Sequence, residues 1–240
     1  MEKQALLYEG KAKKIYSTDD QEIVWVEYKD SATAFNGEKK ATIAGKGRLN
    51  NEITSLLFEK LTKAGVENHF IKRLSETEQL VKRVSIIPLE VVVRNVAAGS
   101  FSKRTGMPEG QQLHKPIVEF YYKNDDLGDP LLITDHILEL RIATTEQIEV
   151  LKQKALKVNE VLLNYFNDKN IRLVDLKLEF GITENKELVL ADEISPDTCR
   201  LWDKDTNEKF DKDVFRRDIG DLNTAYEEIL KRLGGSACTK

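Results

Sequence analysis

Leu173-Val-Asp-Leu-Lys-Leu-Glu-Phe-Gly181 alternates between apolar and charged side chains. Successive side chains of a β-strand point to opposite faces. Val174, Leu176, Leu178 and Phe180 therefore share one face, and Asp175, Lys177 and Glu179 share the other. The apolar face reads as core. The opposite face carries an acid–base–acid ladder with about 7 Å between alternate residues. Such alternation most often marks a sheet with one solvated face. The next segment argues for more. Residues 187–194 read as a second strand, joined through Thr183-Glu-Asn-Lys186 as a hairpin turn. The two strands then run antiparallel, and Asp192 lies near Glu179. Two carboxylates on adjacent strands suit Mg²⁺, which takes oxygen ligands and bridges nucleotide phosphates.

Before this hairpin, Thr144 and Gln147 fit a capping box. Ile148, Leu151, Ala155, Val158, Leu162 and Phe166 follow on one helical face. After it, a last helix is expected over residues 212–233, with Val214, Phe215, Leu222, Ile229 and Leu233 inward. Gly234 stands at its stop. The first 95 residues read mainly as strands, among them 23–28, 79–84 and 89–95. One helix, 49–64, interrupts them. Residues 98–135 read as loops around a strand at 117–122. Strands and helices are segregated rather than alternating, which favours an α+β fold over a doubly wound parallel sheet. The expected organisation is a β-rich lobe, 1–95, and a mixed lobe, 96–240, with ligands in the cleft between them.

The bulk numbers agree with an ordinary globular enzyme. The chain has 240 residues, 40% hydrophobic and 32% charged, with 37 basic and 41 acidic residues and a formal net charge of −4. So even a balance argues against nucleic-acid binding as the main task, while leaving room for a local basic pocket. No run approaches the roughly 20 apolar residues of a membrane-spanning helix. The first ten residues hold no apolar signal core, so the cytoplasm is the expected location. Cys199 and Cys238 form no CxxC pair, and no motif supports a catalytic thiol at Cys199. The three histidines, His69, His114 and His136, have no zinc spacing.

Three further segments carry candidate chemistry. In Leu7-Tyr-Glu-Gly-Lys-Ala-Lys-Lys-Ile-Tyr16, a strand from Lys11 would put Lys11 and Lys13 on one face beside Gly10. That suits a polyphosphate, although a solvated edge strand guarded by lysines fits as well. In Ile86-Ile-Pro-Leu-Glu-Val-Val-Val-Arg-Asn-Val-Ala-Ala-Gly-Ser100, Arg94 shares a face with Val92 and Glu90. A guanidinium on so apolar a strand needs an anionic partner. That partner is either a protein acid such as Glu90 or a substrate phosphate or carboxylate, with Gly99-Ser100 as added donors. In Asp192-Glu-Ile-Ser-Pro-Asp-Thr-Cys-Arg200, Ser195-Pro196-Asp197 reads as a turn that mounts Asp197 and Arg200 at a strand exit.

These blocks, in this order, resemble the succinocarboxamide synthase family of purine biosynthesis. Tyr8–Tyr16 resembles its ATP segment, 87–100 its first signature and Val174–Gly181 its second. Asp192–Arg200 and Phe210-Asp-Lys-Asp-Val-Phe-Arg216 resemble later blocks. The resemblance spans about residues 5–234, at the length of the single-function bacterial form. It implies a two-lobed α+β fold, distantly similar to kinases and ATP-grasp enzymes, and a homodimer. It implies a ligase joining L-aspartate to the carboxylate of an aminoimidazole ribonucleotide, with ATP and Mg²⁺. It further implies that Gly10, Lys11, Ala12 and Lys13 contact ATP phosphates, Lys82 the adenine end, and Glu179 and Asp192 Mg²⁺. Arg94, Ser100 and Arg200 would bind the ribonucleotide, Asp175 and Lys177 would face the reacting centre, and Asp197 would orient substrate. Lys212 and Arg216 are further anion ligands, and Asp129 lies by the incoming aspartate. The rivals are a kinase on a similar fold and a nucleotide-binding regulator without turnover.

Overall fold

The computed structural model describes residues 1–34 and 38–235; Cys238 lies outside them. Two antiparallel sheets organise the chain. The first has the order β1-β2-β3-β7-β6, built from β1 (Lys3–Glu9), β2 (Lys13–Thr18), β3 (Ile23–Tyr28), β6 (Phe70–Arg73) and β7 (Glu78–Lys82). The small hairpin β4 (Ser31–Ala34) and β5 (Lys39–Thr42) leads into α1 (Lys46–Lys63). Val24, Val26 and Tyr28 alternate inward from β3 and pack with Val81 and Ile15.

The second sheet has the order β10-β9-β8-β11-β12, with β13 also paired to β11. Its strands are β8 (Ser85–Val96), β9 (Gln112–Tyr122), β10 (Leu131–Leu132), β11 (Ile171–Ile182), β12 (Leu188–Ala191) and β13 (Cys199–Asp203). β8 begins earlier than expected and runs through Pro88. Proline has no N–H to give the ladder, and the register with β11 shifts opposite it, between Glu179 and Gly181. β8 is central to this second sheet, so the change of sheet falls at residues 83–84, within the expected β-rich lobe 1–95.

Among the described residues, five more helices follow α1: α2 (Gly99–Thr105), α3 (Thr134–Glu139), α4 (Thr145–Asn167), α5 (Asp213–Arg217) and α6 (Leu222–Leu233). α4 starts at the expected capping box, with Thr144 and Gln147 bonded reciprocally. All six of its predicted apolar positions are buried, and it packs on β11 and β8. Asn159 of α4 and Asn95 of β8 exchange hydrogen bonds of 2.8 and 3.0 Å in that interface. α1, α4 and α6 share one apolar core with the inner face of the second sheet. The first sheet keeps a small cluster of its own, and α1, seated in the main core, also packs on β3 and β6. The expected single helix over 212–233 is two helices. Asp218 breaks it in the left-handed region at φ 53°, and Asp221 caps α6 through Thr224 N–H.

One element of the alternation on β11 differs from expectation. Leu173, Leu176, Leu178 and Phe180 lie in the main core, but Val174 packs separately with Val96, Ala98 and Trp202. A register shift against β13 between Leu173 and Asp175 makes Val174 the extra residue. Such a bulge re-aims the side chains after it. Here it leaves Val174 and Asp175 together on the face away from the main core.

Candidate functional site

The polar face of β11 is not solvated. Asp175, Lys177 and Glu179 stand directly opposite Arg94, Val92 and Glu90 of β8. Glu119 and Tyr121 continue the floor on β9, where Glu119 is opposite Val92. A cavity of about 190 Å³ rests on this floor, lined among others by Glu90, Arg94, Ser100, Asp175, Lys177 and Arg200. Arg94 and Asp175 are nearly fully buried. Buried charge persists only when paired, and the pairing differs between the two ends of the floor.

At one end, two arginines grip Asp175. Arg94 Nη1 and Arg200 Nη1 each lie 2.9 Å from Asp175 Oδ2. Arg94 also donates to Glu119 through Nε at 2.7 Å, and through Nη2 to Ser100 Oγ and Tyr121 OH, both at 3.1 Å. Its partner is therefore not Glu90, four residues earlier on the same strand, but the acid directly across the ladder. Arg200 Nε bonds Asp213 at 3.1 Å, and Arg216 Nη1 bonds the same carboxylate at 2.7 Å. Gly99 makes room for this cluster: a Cβ there would sit 2.4 Å from an Arg200 nitrogen, and its φ is +53°.

At the other end, lysines converge. Lys177 Nζ lies 2.7 Å from Glu179 Oε1, 3.1 Å from Glu90 and 3.8 Å from Asp192. Lys123 bonds the other Glu179 oxygen at 2.5 Å, and Lys13 bonds Asp192. Burial alone would lower the Lys177 pKa, but Glu179, Asp192 and Glu90 raise it well above the ordinary lysine value. Burial pushes the Asp192 carboxyl up, while Lys13, Lys177 and Lys123 hold it well below the ordinary range. Asp192 has φ 60°, unusual for a residue with a Cβ. Behind it, His69 Nε2 is 3.1 Å from the Asp192 carbonyl. Burial, with Lys13 nearby, lowers that imidazole to about 3, so it is neutral and donates this bond.

The remaining expected residues divide. Ser100 and Arg216 line the cavity with Arg94. Lys13 opens β2, but Lys11 precedes the strand, so the two lysines diverge: Lys11 reaches Asp125 at 2.8 Å. Gly10 N–H closes that turn on the Lys13 carbonyl at 2.8 Å, and the Ala12 carbonyl accepts from Lys29 N–H at 2.8 Å. Lys82 stands apart from Lys177 and lines a second cavity, of about 640 Å³, where the β2–β3 turn, the β7–β8 link and the β11–β12 turn meet. Asp129 is a turn residue whose carboxylate accepts from Asn124 N–H at 2.9 Å, and it does not line the smaller cavity. Asp197 lies in the cavity wall, but its oxygens point inward to Lys46, Asn50 and Tyr226; Lys212 stands 3.8 Å away. Cys199 is buried, and burial pushes its thiol far above the ordinary range, which suits no nucleophile.

Sequence reading missed Lys46, Tyr226, Glu119 and Lys123. The last two had a signal, since Glu119 and Tyr121 share one face of a strand at period two and Lys123 follows at its end at the same spacing. Tyr226 had a partial signal, since it falls between Leu222 and Ile229 at helical spacing, although its partner could not be read; Lys46 had none.

An anion-handling floor, with flexible lysines at one end and fixed arginine forks at the other, defines an enzyme acting on phosphorylated or carboxylated substrates. The comparisons narrow that class. The family model for SAICAR synthetase matches residues 6–233. A phosphoribosylaminoimidazole-succinocarboxamide synthase of Bacillus cytotoxicus is 70% identical over 237 residues, 99% of each chain. One from Bacillus mycoides is 69% identical over 237 residues, again 99% of each. The crystal structure of the synthase from Ehrlichia chaffeensis superimposes with a TM-score of 0.94 at 47% identity, covering 97% of this chain and 100% of its own. A SAICAR synthetase solved in complex with ADP gives 0.94 at 50% identity, covering 97% and 99%. The chain belongs to the SAICAR synthetase family. It is an ATP-dependent carbon–nitrogen ligase of purine biosynthesis, joining L-aspartate to the carboxylate of 5-amino-1-(5-phosphoribosyl)imidazole-4-carboxylate, with release of ADP and phosphate.

Proposed function

We propose that ATP lies at the lysine end of the floor, the ribonucleotide at the arginine end, and that Lys177 works between them. The observation that carries this reading is the position of Lys177. It bonds the acids of the lysine end and lines the same cavity as Arg94, Asp175 and Arg200.

A carboxylate is a poor electrophile, so one of its oxygens must become a leaving group before an amine can displace it. Transfer of the terminal phosphoryl group of ATP to the substrate carboxylate gives an acyl phosphate and ADP. The aspartate amine then attacks the acyl carbon, and phosphate leaves. The protein's task is to align anions and neutralise charge. Lys13 and Lys11, with the backbone of Gly10 and Ala12, take the nucleotide phosphates. Lys82 and the first sheet, up to residue 84, hold the base. Lys177, kept fully charged by its acids, offsets the charge that grows as phosphoryl and acyl groups transfer. Arg200, Arg216 and Ser100 hold the ribonucleotide, and Lys212 adds positive potential. Arg94 and Asp175 hold that end of the floor rigid at the reacting centre, and Asp197 shapes the wall through its loop. Asp129 is assigned to the side on which aspartate enters.

Glu179 and Asp192 fit Mg²⁺ in donor type: two hard carboxylates meet around one cation, now the Lys177 ammonium. Among the described residues no cluster of three or more metal-ligating side chains forms, so nucleotide phosphates and water would complete the ion's shell. When bound, the ion would supply charge neutralisation on those phosphates. The family resemblance supports a homodimer in the cytoplasm, and among the described residues no helix is long and apolar enough to cross a membrane. Coupled measurement of ADP release tests the reading: ADP must require both L-aspartate and the carboxylated ribonucleotide. Equal release without either would overturn it.

A further inference from the structure

Lys46 is 0% exposed, although it is the first residue of α1, a position where lysine ordinarily reaches water. Its ammonium lies 2.5 Å from Asp197 Oδ2. The same oxygen accepts from Asn50 Nδ2 at 3.0 Å, and Oδ1 accepts from Tyr226 OH at 2.5 Å. Asp197 is thus held from two helices, α1 and α6, and both of its oxygens have partners within the protein.

Asp197, Thr198, Cys199 and Arg200 form one wall of the cavity. Asp197 N–H bonds Ser195 Oγ at 3.1 Å, Thr198 carbonyl accepts Lys177 N–H at 2.8 Å, and Arg200 follows with its grip on Asp175. On its other side, the start of α1 is seated on the first sheet. A Cβ at Gly47 would lie 2.9 Å from the Tyr28 carbonyl oxygen, and Gly47 N–H bonds Asp30 Oδ1 at 2.9 Å. Tyr28 in turn pairs with Lys13 across β2 and β3. A continuous set of contacts therefore runs from the strand of Lys13, through Lys46 and Asp197, to Thr198 and to Arg200 at the start of β13.

We propose that Lys46 is a positioning residue: the buried counter-ion of Asp197, which fixes the 197–200 wall of the ribonucleotide end relative to the nucleotide sheet. It also keeps a carboxylate in that wall from repelling an anionic substrate. The charged and titratable groups around Asp197 are Lys46, Lys212, Tyr226 and Glu193. Of the two cations, Lys46 alone is in hydrogen-bond contact; Lys212 stands at 3.8 Å. Removing Lys46 leaves a buried carboxylate underneutralised beside the substrate. This inference rests on the placement of the ribonucleotide at the arginine end.

The test is steady-state kinetics of the full chain with each substrate varied in turn. Lys46→Met is expected to raise KM for the ribonucleotide at least about tenfold, with KM for ATP changing less than about twofold. The double variant Lys46→Met, Asp197→Asn removes the stranded charge and is expected to recover most of that loss. A ribonucleotide KM within twofold of the parent in Lys46→Met overturns the proposal, as does a double variant no better than the single. If Lys46→Met does not accumulate folded, Tyr226→Phe carries the test, since it takes one bond from Asp197 and leaves every charge in place. A rise in ribonucleotide KM of about three- to fivefold is then expected, and no change overturns the proposal. Parent turnover that does not depend on aspartate and ribonucleotide would instead refute the site reading, so the two failures are distinguishable.

Discussion

The two ends of β11 solve the same electrostatic problem in different ways. At Asp175 the counter-charges are Arg94 and Arg200, planar forks whose donors are committed to Asp175, Glu119, Ser100, Tyr121 and Asp213. At Glu179 and Asp192 they are Lys13, Lys123 and Lys177, single points of charge on flexible stems. The arginine end is a closed network, and removing Arg94 or Arg200 leaves buried Asp175 with one cation in place of two. The lysine end holds exchangeable contacts. In the proposed site each ammonium would exchange a carboxylate for a nucleotide phosphate, with Mg²⁺ taking its place on Glu179 and Asp192. One strand thus carries a half fixed by planar forks and a half held by flexible stems, the half to which the proposed function assigns the nucleotide.

This contrast predicts opposite consequences for loss of a cation. Arg94→Met should destabilise the fold by about 3 kcal/mol, because buried Asp175 and Glu119 lose the cation they share and keep only Arg200 and Arg104. Urea unfolding measures this, and a loss under 1 kcal/mol would break the distinction. Lys177→Ala should do the reverse. Turnover should fall about 10²–10³-fold, while stability changes by about 1 kcal/mol or less, because Glu179 keeps Lys123. If Lys177→Ala unfolds with normal activity per folded molecule, the lysine end is structural and the comparison fails.

The same contrast explains what was legible in the sequence. Periodicity exposed β11, its turn to β12 and α4, because each buries one continuous face. It put Asp175, Lys177 and Glu179 on one face, and the ladder with β8 agrees. Periodicity could not show the bulge at Val174, since both a regular and a bulged strand read as alternating there. The break at Asp218 was hidden for a similar reason: Val214 and Leu222 both point inward in one long helix or in two short ones. The change of sheet was hidden because β8 follows β7 at once and carries no turn signal stronger than Pro88. Partners were hardest to read. Arg94 meets Asp175, 81 positions away, and Lys46 meets Asp197 across 151. Register between distant strands, and the seat of a helix end, are tertiary facts that local pattern does not encode.

A smaller effect should appear in acid. Asp213 belongs to the arginine end, with Arg200, Arg216 and Arg217 around it. Burial raises its carboxyl, but Arg200 and Arg216 bring it down to about 2. An unfolded aspartate titrates near 3.9. The folded value is depressed, so the stabilisation is full above pH 4 and is lost as pH falls through 4 towards 2. Its size is about 2 kcal/mol. Asp213→Asn should therefore cost about that much at pH 6, with the gap from the parent narrowing as the pH approaches 2. Unfolding curves at a series of pH values measure the gap, and one that stays constant would show that the arginines do not depend on this charge.

The smallest expected effect on stability lies at the far edge of the lysine end. Lys11 and Asp125 pair at 2.8 Å with both side chains exposed. Exposed pairs contribute little, so Lys11→Ala should change stability by about 0.5 kcal/mol or less. If this ammonium is held in waiting for a phosphate, the change should appear in nucleotide affinity instead, as a rise in Kd for ATP of about three- to tenfold that shrinks as salt is added. Asp125→Asn supplies the opposing measurement. It frees Lys11 without removing it, so ATP should bind as well as to the parent or better. Weaker binding in Asp125→Asn would mean that the pair, not the lysine, shapes the nucleotide turn, and that even the outermost contact of the lysine end is as fixed as those of the arginines.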